Sequence, residues 1–292
     1  MPAKAEPIFR FFHGSCEPPL LPFQQSKGSR FRANDFKLVT APLTDCELDR
    51  YARHIVLREV GGAGQLRLKA AKVAVIGAGG IGSAVIPALA GAGIGRMSII
   101  DDDVIDRSNL QRQTIFREDQ IGEGKAVAAA AFATALNPHL EMRAMSVRVT
   151  TGNAYCELAG HDLVLDGSDN FATRLAVSDA CVALGIPLVS GAAAMFSGQV
   201  GLFRGKPCYR CFVGDAFDAE DCDTCAENGV LGALTGTVGN FAALVAIRAI
   251  VGFGDDAAGK LFLFDGKSLD WRTTRLPADP GCPVCALQSS RA

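Results

Sequence analysis

Apolar and polar positions change their period along the chain in a way that predicts alternating strands and helices. Lys72–Ile76 alternates like a strand and leads into the glycine turn Gly77–Gly82. A helix of small residues to about Ala92 follows, and Met97–Ile100 is predicted as the next strand, ending at Asp101. A strand, a glycine turn, a helix, a second strand and an acidic residue in this order make one βαβ unit.

The same alternation continues toward the C-terminus. Helices are predicted from about Gly124 to Leu136 and over Thr173–Leu184, between short buried strands. The further predicted strands are Asp162–Asp166, Ile186–Ser190, Gln199–Arg204, Lys260–Asp265 and Trp271–Leu276. We therefore expect an α/β fold with a Rossmann-like, doubly wound mixed sheet, parallel in its first half and antiparallel in its C-terminal strands, with a cysteine-rich insert.

The N-terminal part has a different character. Residues 1–43 are rich in Pro, Ser and aromatic residues without a clear period, and we interpret them as an extension of a single domain formed by residues 44–292. A disordered extension and one that docks through its phenylalanines both stay open. Thr44–Glu47 has the form of a capping box and predicts a helix that continues through Arg58 and ends at Gly61-Gly62.

The composition indicates a globular protein without a strong charge bias. The chain has 292 residues, of which 49% are hydrophobic, and its formal net charge is −2. No overall positive field recruits nucleic acid or an anionic membrane, so any phosphate chemistry must use a few local cations. Met1–Arg10 lacks the pattern of a secretory signal, which favours a cytoplasmic protein. Gly229–Gly252 is apolar and long enough for a membrane span, but its glycines, Asn240 and Arg248 favour a buried core helix.

The glycine turn predicts a binding site for an adenosine cofactor. Gly77 permits the tight turn, Gly79 lets a phosphate approach the backbone, and Gly82 allows the helix to pack closely on the strand. We count Gly80, in the same turn, among the cofactor-binding residues. Asp101 ends the next strand, where its carboxylate can accept hydrogen bonds from ribose hydroxyls. These residues alone do not distinguish NAD from ATP.

Two cations favour ATP. Lys125 lies in the first turn of a predicted helix, where a positive charge opposes the helix dipole unless an anion such as a triphosphate lies nearby. Arg112 lies in the loop after Asp101, where a polyphosphate would extend beyond the glycine turn. Either residue alone could be a solvated surface cation. Together with the glycine turn they favour a polyphosphate nucleotide.

Five motifs in their order resemble one known family. They resemble the E1-like adenylyltransferases of the MoeB, ThiF and HesA type, which are the bacterial molybdopterin-synthase and thiazole-synthesis activating enzymes and are related to ubiquitin activators. The resemblance extends roughly from Leu48 to Cys285. The motifs are Arg50–Ile55, the glycine turn, Ser108–Gln113, Gly122–Lys125 and Asp166–Asn170.

The resemblance implies roles for particular residues. Asn109, Arg112 and Lys125 would contact the ATP phosphates, and Asp101 would bind the ribose. Asp169 would hold the catalytic Mg²⁺, and Arg53 would reach across a homodimer interface into the partner's site. His54 stands where the family usually has Gln, and Gly167-Ser168 replaces a Cys-Thr step. Neither change removes a charged participant.

The cysteines indicate a metal site. Six of the ten cysteines form three C-x-x-C pairs, and four thiolates suit a closed tetrahedral zinc site. The spacing alone is also compatible with a local zinc site formed by Cys208, Cys211, Cys222 and Cys225. The resemblance instead favours the distant pair, so that a structural zinc ties the C-terminus to the insert. The four ligands would then be Cys208, Cys211, Cys282 and Cys285.

Cys225 matches a family position at which related activators form a covalent link to their carrier protein. The nearby Asp221, Asp223 and Glu227 would raise the pKa of its thiol, which opposes reactivity. A catalytic role for Cys225, a redox pair with Cys222 and a structural loop all stay open.

The resemblance implies that the chain adenylates the C-terminal Gly-Gly carboxylate of a ubiquitin-like sulfur-carrier protein. Pyrophosphate would leave, and the carrier would be prepared for thiocarboxylation in molybdopterin or thiamine synthesis. With no sulfurtransferase domain after Cys285, a separate protein is expected to donate the sulfur. The alternatives are an activator of another acceptor, such as the tRNA-modifying dehydratase relatives, an NAD-dependent oxidoreductase, and a catalytically silent scaffold.

Overall fold

The computed structural model describes residues 41–214 and 229–286, and every structural statement below concerns these residues. Most of the predicted N-terminal extension and the segment with Cys222 and Cys225 lie outside them. The predicted domain boundary at residue 44 therefore stays a prediction.

The described strands form a single mixed sheet in the order β3-β2-β1-β4-β5-β6-β7-β8. The first five strands run parallel to their neighbours, and β6, β7 and β8 are added antiparallel, so the predicted mixed sheet is confirmed. The strands are β1 (Lys72–Ile76), β2 (Arg96–Ile100), β3 (Glu141–Met145), β4 (Leu163–Asp166), β5 (Leu188–Ala194), β6 (Ser197–Phe203), β7 (Lys260–Asp265) and β8 (Asp270–Arg275).

Helices cover both faces of the sheet and enclose two apolar cores, one on each face. The core on the first face joins β1 and β2 to the longest described helix, and the core on the second face lies under Phe171–Leu184. The helices are α1 (Asp45–Arg50), α2 (Ala52–Ile55), α3 (Gly61–Ala70), α4 (Gly82–Ala92), α5 (Lys125–Leu136), α6 (Ala154–Leu158), α7 (Phe171–Leu184), α8 (Tyr209–Val213) and α9 (Gly232–Val251).

The long apolar helix α9 is a core element. By length and composition it is the one helix among the described residues that could cross a membrane, and 56% of its most apolar window is buried. Its residues Val238, Ala242 and Ala246 are fully buried, and the helix packs against α4 and β5. The prediction of a core helix is confirmed.

The N-terminal helix differs from its prediction. The capping box is present, with Thr44 Oγ1 accepting from the N–H of Glu47 at 3.3 Å. The helix nevertheless breaks at Tyr51, which is buried and accepts a hydrogen bond from Asn137 Nδ2 at 2.8 Å. The helix predicted through Arg58 is therefore wrong, since a tertiary contact overrides local propensity. Gly61 begins α3 instead of ending the preceding helix.

The order of the strands locates the crevice of the sheet. β1 is paired with β2 on one side and with β4 on the other, so the strand order reverses between β1 and β4. In doubly wound sheets, ligands bind beyond the carboxyl ends of the strands at this point. The glycine turn follows β1, and Gly167 follows β4. Both motifs therefore meet at the crevice.

Candidate nucleotide site and cysteine cluster

The glycine turn brings the N-terminus of α4 against the end of β1. Gly77 has a φ of 84° and donates its N–H to the carbonyl of Ile100 at 2.9 Å. A Cβ atom on Gly82 would lie 2.2 Å from the carbonyl oxygen of Gly77, so no other residue fits there. Gly79, by contrast, faces open space, with Gln113 Nε2 as the nearest atom to an added Cβ at 3.8 Å. The turn thus leaves room for a ligand at its centre.

A cavity of about 920 Å³ lies at this crevice. Its walls come from the glycine turn, from the loops after β2 and β4, from the first residue of α5 and from the ends of β5, β6 and β7. Of the predicted nucleotide-site residues that the structure describes, two do not line it: Gly82 packs behind the turn, and Arg53 lies on α2. The predicted residues that line it are Gly77, Gly79, Gly80, Asp101, Asn109, Arg112, Lys125 and Asp169.

Asp101 stands at the floor of this cavity. Its Oδ2 accepts the N–H of Ala78 at 2.7 Å, and its Oδ1 accepts the N–H of Asp103 at 2.9 Å. Burial raises the pKa of the Asp101 carboxyl above its usual value, and the two N–H bonds limit that rise. A carboxylate has about four lone-pair positions, so it retains acceptors for a pair of hydroxyl groups.

Lys125 is a buried cation. Its side chain is only 7% exposed, and its Nζ lies 2.9 Å from Asp103 Oδ2. The Asp103 carboxylate therefore supplies part of the negative charge that a cation in the first turn of a helix requires. For Lys125, the interpretation as a solvated surface cation is excluded. Its ammonium group lines the same cavity as the glycine turn.

Arg112 and Gln113 line the neighbouring wall. Arg112 is half-buried and donates from Nη1 to the carbonyl of Ser108 at 3.2 Å. Gln113 is 3% exposed, and its Oε1 has no hydrogen-bond partner among the described residues. An unpaired buried amide oxygen is costly, so this atom fits a ligand that donates a hydrogen bond. Sequence reasoning gave Gln113 no role of its own.

Asp169 lies in the loop after β4. Its carboxylate is exposed at the cavity and makes no hydrogen bond or ion pair with a described residue. An exposed carboxylate without a hydrogen-bond partner suits Mg²⁺, which prefers oxygen ligands and keeps several waters. The residues present therefore fit a magnesium ion.

Arg174 is a site residue that sequence reasoning missed. It is 7% exposed, lines the cavity, and donates hydrogen bonds to Ser190 Oγ at 3.0 Å and to the carbonyl of Gly191 at 2.9 Å. Burial alone would lower the pKa of its guanidinium, but the Asp166 carboxylate and Tyr209 raise that pKa above its ordinary value. The sequence did contain a signal for Arg174: like Lys125, it is a cation in the first turn of a predicted helix.

Arg53 lies apart from the cavity. Its side chain is exposed on α2 and has no hydrogen bond or ion pair with a described residue. A role in the active site would require a second copy of the chain to bring the residue there. That role stays a prediction.

Four cysteines from two distant segments meet in one cluster. Their Sγ atoms all lie within 4.8 Å of one another, with Cys208 and Cys282 at 3.6 Å and Cys211 and Cys285 at 3.3 Å. Four thiolates about 2.3 Å from a tetrahedral zinc would be separated by roughly 3.8 Å, so the cluster fits that ion. The structure groups the two pairs that the resemblance favoured. Cys222 and Cys225, the local alternative, lie outside the described residues.

The fold and the two sites together define the class of the protein. A nucleotide-type crevice in a doubly wound sheet, continued by antiparallel strands toward a four-cysteine cluster, is the arrangement of an E1-like adenylyltransferase. The sequence matches the ThiF family over residues 51–284, and the chain belongs to this family.

Three relatives with descriptive names are similar over most of this chain. The SAMP-activating enzyme E1 of Haloferax volcanii is 43% identical over 248 residues, which are 85% of this chain and 92% of that protein. The sulfur carrier protein adenylyltransferase of Thermus thermophilus is 43% identical over 246 residues, covering 82% and 91%. The adenylyltransferase and sulfurtransferase MOCS3 of Drosophila yakuba is 42% identical over 255 residues, and the match spans only 56% of its length.

Solved structures show the same fold at lower sequence identity. The E. coli protein MccB crystallised with ATP matches with a TM-score of 0.70 and 22% identity, covering 83% of this chain and 75% of that one. MccB in complex with N-formylated MccA matches with a TM-score of 0.71 and 23% identity, covering 81% and 74%. At this identity the comparison supports the fold alone.

Proposed function

We propose that the protein is an ATP-dependent adenylyltransferase that activates the C-terminal glycine carboxylate of a ubiquitin-like sulfur-carrier protein. One observation carries this proposal. Lys125, Arg112 and Asp169 line the same cavity as the glycine turn, at the crevice of the sheet. In the reaction, a carboxylate oxygen attacks the α-phosphorus of ATP, and the bond from that phosphorus to the pyrophosphate oxygen breaks. The products are an acyl adenylate and pyrophosphate.

The fixed cations address the main obstacle to this step, which is the repulsion between two anions. Two unit charges about 4 Å apart repel by about 4 kcal/mol at an effective dielectric constant of ~20. Left uncompensated, that energy would slow the reaction about a thousandfold. The Lys125 ammonium, held in a buried position by Asp103, is oriented before the substrate arrives. Positioning and charge suffice, and no covalent protein nucleophile is required.

Magnesium belongs to the same proposal. The described lining holds five cationic side chains and seven carboxylates, so a bare triphosphate would enter a site with an excess of negative charge. The cations are Arg112, Lys125, Arg148, Arg174 and Arg272, and the carboxylates are Asp101, Asp102, Asp103, Asp106, Asp169, Asp265 and Asp270. When bound at Asp169, Mg²⁺ would neutralise phosphate charge as it develops.

The cysteine cluster would hold a structural zinc. Three of its four cysteines are buried, and all four positions of a tetrahedral ion would be taken by thiolates, which leaves none open for a substrate. The ion would join the segment after β6 to the segment after β8. We assign it no part in the chemical step.

The carrier is inferred from the relatives, whose names include a sulfur carrier protein adenylyltransferase and a SAMP-activating enzyme. The proposal extends to a Gly-Gly carrier tail, a homodimer in which Arg53 serves the partner's site, a separate sulfur donor and a cytoplasmic location. The activated carrier would serve molybdopterin or thiamine synthesis.

The alternatives explain less of the site. An NAD-dependent oxidoreductase would use the glycine turn and Asp101, but it gives no role to Lys125 or Asp169. The tRNA-modifying activators do not account for the cysteine cluster, and a silent scaffold does not account for a buried cation at the crevice.

The decisive experiment is ATP–pyrophosphate exchange with candidate carrier proteins. We expect exchange with a carrier that ends in Gly-Gly and none with the same carrier lacking its terminal glycine. Nucleotide specificity is measured in parallel, with ATP expected to bind in preference to NAD. No exchange with any carboxylate-bearing carrier, or preferential binding of NAD, would overturn the proposal.

A further inference from the structure

The backbone around Asp169 is held by a buried arginine. Arg174, in the first turn of α7, donates to the carbonyl of Ser168, the residue immediately before Asp169. The same guanidinium donates to the carbonyl of Gly191 and to Ser190 Oγ, both on β5. One planar side chain thus joins the loop after β4 to the end of β5.

Asp169 depends on this backbone for its position. Its carboxylate makes no hydrogen bond or ion pair with a described residue, and its charge is one of those that raise the pKa of the Arg174 guanidinium. Other bonds restrain the start of the loop: Asp166 Oδ1 accepts from the N–H and the hydroxyl of Ser168, and Gly167 donates to the carbonyl of Ile76 at the end of β1. Arg174 supplies the restraint that reaches β5.

Arg174 is in turn held by the segment that carries the first cysteine pair. Tyr209 lies between Cys208 and Cys211, is 4% exposed, and interacts with Arg174, where its side chain raises the pKa of the guanidinium. The next residue, Arg210, binds Asp179 of α7 through two hydrogen bonds of 2.8 Å. The segment that carries Cys208 and Cys211 therefore contacts α7 at two residues, Asp179 and Arg174, and Arg174 lines the cavity.

We propose that Arg174 is a positioning residue that sets the place of Asp169, and that Tyr209 makes this place depend on the cysteine cluster. The role of Asp169 in this statement rests on the proposed function. A buried guanidinium that uses its donors on two elements cannot shift without leaving several polar groups unpaired. The cysteine cluster has no role in the adenylation step itself. Through Tyr209 and Arg174 it would nevertheless contribute to the metal-binding geometry of the nucleotide site.

The first test removes only the hydroxyl of Tyr209. Tyr209→Phe keeps the ring, which packs edge-on against Phe203 and Phe212 at 5.6 and 5.9 Å. Ser98→Ala is the matched control, since it also removes a buried hydroxyl, the one that bonds His161 Nε2 at 2.9 Å. Amide hydrogen exchange of residues 167–173 is measured without nucleotide, so the result requires no activity.

We expect exchange in residues 167–173 to be about fivefold faster in Tyr209→Phe than in the native chain, which is the size of effect expected when one buried polar interaction is lost. In Ser98→Ala it is expected to stay native. Equal exchange in the two variants would overturn the dependence on the cysteine segment.

The second test changes the arginine. Arg174→Lys keeps the charge but loses the planar fork, and we expect the Mg²⁺ concentration for half-maximal ATP–pyrophosphate exchange to rise at least about tenfold. The KM for the carrier should change little. Native Mg²⁺ dependence and native amide exchange in this variant would overturn the positioning role. If the native protein itself shows no pyrophosphate exchange, the proposed function fails, and the amide exchange of Arg174→Lys still decides whether Arg174 holds the loop.

Discussion

The parallel and antiparallel halves of the sheet differ in how deeply their strands are buried and therefore in what stabilises them. Every residue of β4 and all but the first residue of β1 are buried, whereas all six residues of β8 are exposed. The parallel strands are covered on both faces by helices, so the loops at their ends start from a rigid core. The antiparallel strands have less core, and the cysteine cluster lies where their segments come together. We therefore expect substitutions near the parallel strands to change the chemistry, and substitutions in the antiparallel half that lie outside the cavity lining to change stability.

The largest effect on chemistry is expected from Asp169→Ala. This change removes the proposed magnesium ligand from an exposed loop, and ATP–pyrophosphate exchange should fall at least about a thousandfold. The free energy of unfolding should stay within about 0.5 kcal/mol of the native value, because the side chain is exposed. ATP binding should persist. Asp119→Asn, an exposed carboxylate paired with Arg117, is the control and should keep native exchange. A fully active Asp169→Ala enzyme would remove the metal assignment.

The largest effect on stability is expected from Cys282→Ser. Loss of one thiolate from a closed zinc site should release the metal and lower the free energy of unfolding by about 4 kcal/mol. Metal content and chemical denaturation measure the two consequences. Cys46→Ser changes an exposed thiol outside the cluster and should alter neither. Unchanged metal content in Cys282→Ser would favour the local site with Cys222 and Cys225.

Lys125→Met tests whether the buried cation acts on the nucleotide. The apolar side chain keeps the length but not the charge, and kcat/KM for ATP should fall about a hundredfold. Stability should change by less than about 1 kcal/mol, because the partner Asp103 is more than half exposed and becomes solvated. Lys69→Met is the control: it breaks an ion pair with Glu47 far from the cavity and should leave the KM for ATP native. An equal loss of kcat/KM in both variants would contradict the assignment.

The smallest effect is expected from Trp271→Ala on β8. Its ring lies 4.4 Å from the ring of Phe241 and 4.8 Å from that of Phe264, measured between centroids. Because Trp271 is 41% exposed, its replacement should lower the free energy of unfolding by only about 1 kcal/mol. The rate of ATP–pyrophosphate exchange at a saturating concentration of carrier should stay native. Leu269→Ala, at a position 73% exposed, should cost almost nothing. A large loss of nucleotide turnover in Trp271→Ala would weaken the contrast between the halves.

The sequence was most informative where the relevant contacts are local. The strand, the glycine turn and the helix from Lys72 to Ala92 are consecutive, and their periodicity and glycine spacing predicted both the elements and their place at the crevice. The strand β3 was missed although its residues alternate in burial, because a five-residue edge strand gives a weak pattern. The helix through Arg58 was wrong because the side chain of Tyr51 turns into the core.

The contacts that could not be predicted from sequence spacing are those between residues far apart in the chain. The paired cysteines are 74 positions apart, and only the family resemblance favoured that grouping. The ion pair of Lys125 with Asp103, 22 positions apart, depends on how the loop after β2 folds back on α5. Arg174 was missed because its partners on β5 are brought near only by the packing of α7 on the sheet.

A metal ion in the cysteine cluster would cross-link two segments of the chain that are 74 residues apart. Cys208 and Cys282 lie 3.6 Å apart at the two ends of a stretch that contains α9, β7 and β8. Once the thiolates share an ion, a single proteolytic nick between residues 214 and 229 would leave two fragments that stay attached. The pieces would separate in denaturant only after a chelator removes the ion from the thiolates, so one species should be seen in denaturant alone and two when a chelator is also present.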